Sequence, residues 1–133
     1  MSSEAKGTYQ VTSWDENQYD EADGTAKLTR ARITQTFSGD IEGEGTSDYL
    51  MVYPSDSEAH FVGAHRVVGT LAGRSGSFVL AAQGVFANGV VETTWSVVPG
   101  SARGDLAGLS GSGGYVTTSP TEADVRLTYA FDA

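Results

Sequence analysis

Residues 61–97 read FVGAHRVVGTLAGRSGSFVLAAQGVFANGVVETTWSV, and the fold is decided there. Asn88-Gly89 lies between two β-rich runs, the strongest short-range hairpin signal a sequence carries. Pairing Ala87 with Val90 across that turn sets Ala82 opposite Trp95 and Leu80 opposite Val97. Ala72-Gly73, taken as a second two-residue turn, pairs Leu71 with Arg74. His65 then faces Leu80, Val67 faces Phe78 and Phe61 faces Gly84. The two registers are set by different turns, yet both place Phe61, His65, Val67, Phe78, Leu80, Trp95 and Val97 on one face. Small residues opposite large ones on that face suit a filled interior.

The second turn belongs to a phrase that occurs twice. Gly69 to Ser77 reads GTLAGRSGS, and Gly104 to Ser112 reads GDLAGLSGS. A fainter copy, Gly39-Asp40-Ile41-Glu42-Gly43-Glu44-Gly45, lies upstream. Glycines at this spacing between alternating runs mark turns and close backbone contacts in an antiparallel sheet. They form no phosphate cradle, because no Lys-Ser or Lys-Thr follows them.

Working outward, every other run alternates with period two. A first strand is expected over about Ala5 to Trp14, with Tyr9 and Val11 inward, followed by an acidic loop from Asp15 to Gly24. That loop lacks the regular ligand spacing of a calcium-binding EF-hand. Lys27 to Phe37 is a strand with Ala31, Ile33 and Phe37 inward. A three-residue turn at Ser38-Gly39-Asp40 would pair Phe37 with Ile41 and put Arg30 opposite Asp48. Arg30, Arg32, Glu42 and Glu44 then lie outside as cross-strand ion pairs, since burying four charges is expensive. The third strand carries Tyr49, Met51 and Tyr53 inward and stops at Pro54. A strand from Ser110 to Thr118 and a last one from Glu122 to Phe131 complete the set. The reading is all-β: one domain over residues 1–133, an eight-stranded antiparallel meander closed into a β-barrel, which removes exposed sheet edges.

Composition narrows the function classes. Seventeen acidic and eight basic residues leave a net charge of −9, which repels phosphate backbones and anionic lipid. Nucleic-acid and membrane-surface partners are therefore not expected. The chain contains no cysteine, so thiolate metal sites and disulfides are excluded. No apolar run approaches the roughly 20 residues of a membrane-spanning helix, and the first residues carry no signal-peptide pattern. The expectation is a soluble, cytoplasmic protein.

Barrels of this size are either filled with side chains or hold one small ligand. The inward face is apolar with sparse polar handles, the usual make-up of a small-molecule site. Candidate ligand-binding residues are Gln35, Tyr49, Tyr53, Phe61, His65, Phe78 and Trp95. His65 is the candidate acid–base residue, because its ordinary pKa lies nearest neutrality. His60 and His65 fall on opposite faces of one strand and make a poor metal pair. No metal and no cofactor is expected.

Thr12-Ser13-Trp14, Thr36 to Gly45, Gly69 to Phe78, and Trp95 to Gly100 continuing through Gly104 to Leu109 together resemble the DUF3224 family of small bacterial proteins. That resemblance implies kinship with allene oxide cyclases and dirigent proteins, hence an allene oxide cyclase-like barrel and a possible homo-oligomer. It also implies that Gly104 to Gly108 forms an irregular bend leading into a strand, so the two copies of the phrase differ in geometry. Family members often carry Glu where this chain has His65. The leading expectation is a barrel that binds a small apolar molecule in its interior. The alternatives are a cofactor-independent isomerase or cyclase using His65 with Tyr49 or Gln35, and a ligand-free oligomeric interaction protein.

Overall fold

The computed structural model describes residues 2–20, 26–119 and 121–131. Among them every long element is a strand, and no helix is long and apolar enough to cross a membrane. The strands are β1 (Ser3–Asp20), β2 (Lys27–Gly39), β3 (Ile41–Ser55), β4 (Glu58–Leu71), β5 (Arg74–Ala87), β6 (Val90–Val97), the two-residue β7 (Arg103–Gly104), β8 (Leu109–Thr117) and β9 (Glu122–Phe131). Neighbours pair antiparallel in the order β4-β3-β2-β1-β9-β8-β6-β5, and β4 pairs with β5 to close the ring. Eight strands thus form a closed barrel, with β7 attached to the edge of β5.

Both hairpins of residues 61–97 have the expected registers. Leu71 pairs with Arg74, His65 with Leu80 and Val67 with Phe78 across β4–β5, and Ala82 pairs with Trp95 across β5–β6. Alternation does the rest: Phe78, Leu80, Trp95, Val97 and Leu127 are all buried in one core. Ala72 and Asn88 have positive φ, as two-residue hairpin turns of the primed types demand.

Three expectations need correction. First, Phe37 pairs with Gly43, not Ile41, so Arg32 and not Arg30 faces Asp48. The reason is competition for the turn. Gly39 pairs with Gly7 of β1, and the Asp40 amide donates to the Lys6 carbonyl. Ile41 and Glu42 pair with Leu71 and Thr70 of β4. A shift of two residues preserves which side each residue faces, so the Arg and Glu side chains remain outside. Arg32 holds Asp48 in a bidentate pair at 3.1 and 3.2 Å. At such exposure the pair is worth at most about 1 kcal/mol.

Second, β1 extends through Asp15–Asp20 where an acidic loop was expected. The remainder of that loop, Glu21 to Gly24, lies outside the described residues. Third, β1 carries a bulge. Val11 pairs with Gln35 and Ser13 with Thr34, leaving Thr12 as the extra residue. A bulge of one residue reverses the alternation beyond it. Trp14 and Glu16 therefore pair with Ile33 and Ala31 and turn toward the barrel interior.

The repeated phrase closes one end. Gly43 pairs with Gly69, Gly69 with Gly76, and Gly76 with Gly104, a row of glycines across four strands. A Cβ at Gly69 or Gly76 would sit 2.0 Å from the carbonyl oxygen of the adjacent strand. Past Gly104 the second copy leaves the sheet as a turn, with the Asp105 amide bonded to the Ser75 carbonyl. Its Leu106 is fully buried in the core with Leu71 and Leu109. The second copy is thus an irregular bend leading into β8, as the family resemblance implied, and the first is a hairpin.

Candidate ligand cavity

The opposite end of the barrel is open. A cavity of about 470 Å³ enters there. Its deeper wall is formed by Tyr9, Ile33, Gln35, Tyr49 and Tyr115, and its waist by Met51, Ala59 and Phe61. Val11, Phe86, Val91 and Thr117 lie nearer the mouth, together with Trp14, Tyr53, Ser119 and Thr121. Each barrel strand contributes at least one inward residue except β9, whose inward side chains belong to the packed core.

The sequence candidates divide between two levels. Gln35, Tyr49, Tyr53 and Phe61 line the cavity. His65, Phe78 and Trp95 do not; they stand in the packed part of the barrel. His65 is held between Phe37 and Trp95, with ring centroids 5.5 and 5.7 Å away and the indole edge-on at 90°. Among the described residues neither imidazole nitrogen has a hydrogen-bond partner. Burial disfavours the imidazolium and lowers the pKa to about 4, so the ring is neutral at physiological pH.

Around His65 runs a belt of buried polar groups. Gln35 Nε2 donates to Ser47 Oγ at 3.1 Å, and Ser47 pairs with His65 across β3–β4. Gln35 Oε1, Thr93 Oγ1 and Trp95 Nε1 are buried without protein partners. Each unsatisfied buried group costs on the order of 1–3 kcal/mol, against a total stability of about 5–15 kcal/mol for a domain. Gly45 makes room for the belt, since a Cβ there would lie 2.6 Å from His65 Nε2 and 3.0 Å from Gln35 Oε1.

Tyrosines form the polar part of the cavity wall. Tyr9 and Tyr115 rings are 4.9 Å apart, and Tyr49 packs on Phe61 at 5.1 Å. Burial, reinforced by Tyr115, raises the pKa of both Tyr9 and Tyr49. Their hydroxyls therefore keep their protons throughout the neutral range.

At the mouth, Glu16 gathers three donors. Trp14 Nε1 donates to its Oε1 at 3.0 Å, and Thr29 donates to Oε2 at 2.6 Å, as does the Tyr53 hydroxyl. Partial burial alone would raise the Glu16 pKa, but these donors and nearby Lys27 outweigh it and hold the carboxyl below its usual value. Burial and then Glu16 push Tyr53 up to about 12. Lys27 Nζ stands 4.5 Å from the Tyr53 ring centre. Trp14 and Glu16 were not legible as site residues, because alternation puts Trp14 outside, Glu16 fell in the expected loop, and nothing in the letters announces the bulge. Tyr9 and Tyr115 carried the right alternation and could have been found. Among the described residues no group of three His, Asp or Glu side chains converges as a metal site.

Residues 5–129 match the family described as "Protein of unknown function (DUF3224)". The chain belongs to the DUF3224 family. A crystal structure of a protein with unknown function from this family, from Shewanella oneidensis MR-1, superposes with a TM-score of 0.84 at 27% identity. The superposition covers 100% of both chains. No curated protein matches the chain. Membership thus agrees with the barrel and leaves the chemistry to be argued from the cavity.

Proposed function

We propose that this DUF3224 protein binds a small, largely apolar molecule inside its barrel. The observation that carries the reading is the cavity of about 470 Å³, within the roughly 300–1,000 Å³ range of small-molecule sites. Its wall is aromatic and aliphatic with a few polar groups, which is how such sites combine affinity with orientation. An isomerase or cyclase reading, in the manner of allene oxide cyclases, draws less support. It needs His65 at the substrate, and the ring lies outside the cavity lining with its proton affinity reduced.

The test uses N-phenyl-1-naphthylamine, a neutral apolar fluorophore. Saturable fluorescence enhancement at one probe per chain is expected. Enhancement that grows linearly with probe, without saturation, would remove the basis for an internal site. Native mass spectrometry of the freshly purified protein addresses the natural occupant, with a discrete added mass expected.

A further inference from the structure

Resting on the cavity reading, we propose that Gln35 is the inner anchor of the site. Its occupant is a neutral apolar molecule that presents a hydroxyl or N–H to Gln35 Oε1. Gln35 is 3% exposed, lines the cavity, and is held by its own amide hydrogen bond to Ser47. That bond fixes the amide plane and leaves Oε1 as a buried acceptor with no protein partner. Across β2–β3 its neighbour is Gly45, where a Cβ would lie 3.0 Å from Oε1 and meet the His65 and Phe37 rings. A ligand donor reaching Oε1 would relieve one of the belt's unsatisfied atoms, which makes the interaction worth more than a surface hydrogen bond.

Charge selects against the obvious alternative, a carboxylate-headed ligand such as a fatty acid. Among the described residues no Lys or Arg lines the cavity. Tyr9 and Tyr49 stay protonated and neutral, and Glu16 holds a negative charge at the mouth. Lys27 lies at the rim over Tyr53, where it acts with Glu16 and does not reach the inner wall. An anionic head would have to shed its hydration with no cation to receive it.

Three probes of one shape separate these terms: naphthalene, 2-naphthol and 2-naphthoate, measured at neutral pH against the folded protein. Naphthol is expected to bind about fivefold tighter than naphthalene, although water solubility alone favours the opposite order. Naphthoate should be the weakest. In Gln35→Leu the naphthol preference should vanish while naphthalene binding persists, and Gln35→Met provides the same comparison if the leucine variant fails to fold. Equal binding of naphthol and naphthalene by the unmodified protein would overturn the Gln35 assignment while leaving the cavity reading intact. Tightest binding by naphthoate would overturn the charge argument. If none of the three binds while N-phenyl-1-naphthylamine does, this assignment falls alone; if none of the four binds, the cavity reading falls as well.

Discussion

His65 shows how a residue's chemistry is set by what surrounds it. In water its imidazole would titrate near 6.5; between Phe37 and Trp95, with no hydrogen-bond partner, its pKa is lowered to about 4. The sign of the consequence follows from linkage. Below pH 6.5 the unfolded chain takes up a proton at this position that the folded chain refuses until about pH 4. Stability contributed by His65 is therefore complete above 6.5 and lost as pH falls through that window. Between pH 7 and pH 5 the loss should be about 2 kcal/mol, measured by urea denaturation. His65→Leu should remove most of that dependence and be at least as stable at pH 5, since it deletes two unsatisfied nitrogens. Glu16, whose folded pKa is lowered, adds only about 0.2 kcal/mol by pH 5. A variant as acid-sensitive as the unmodified protein would show that the imidazole is not held neutral by burial.

At the scale of the element, the two copies of the phrase and the fainter upstream one supply a row of four glycines where backbones crowd. Gly43, Gly69, Gly76 and Gly104 stand side by side, one from each neighbouring strand, where the backbones crowd at the closed end. Gly76→Ala would put a methyl 2.0 Å from the Arg103 carbonyl oxygen and should cost about 1–3 kcal/mol or more, because backbone must move. Gly73→Ala is the control: it has positive φ but open space around it, so only conformational strain is paid. Equal destabilisation of the two, by chemical denaturation, would remove crowding as the cause. The β1 bulge is the other decisive element. It turns Glu16 inward, where Thr29 and Tyr53 tie three strands together at the mouth.

Across the whole molecule the barrel is divided: a packed end stoppered by Leu106 and an open end that keeps the cavity. Filling the cavity should separate binding from folding. Ala59 is buried, lines the waist, and faces open volume. In Ala59→Phe, N-phenyl-1-naphthylamine affinity should fall by about tenfold or more, near 1.4 kcal/mol. The melting temperature should hold or rise, because the added ring occupies existing space and does not displace packed atoms. Unchanged probe affinity in a folded variant would place the probe elsewhere.

Much of this architecture was legible in the letters. Asn88-Gly89 and Ala72-Gly73 determine two registers, and period-two alternation then assigns Gln35, Tyr49, Phe61 and His65 to the interior, because side chains on a strand cannot choose a face independently. Tertiary structure decided three further matters. The β2–β3 turn is shared with β1 and β4, so its register depends on strands distant in sequence. The bulge at Thr12 reverses the alternation that local reading relies on, bringing Trp14 and Glu16 to the mouth. The depth of each inward residue along the barrel axis separates Gln35, at the cavity wall, from His65, Phe78 and Trp95 in the packed part. Alternation reports which side of a sheet a residue faces; only closure of the barrel, with Leu106 stopping one end, determines which inward residues meet open space.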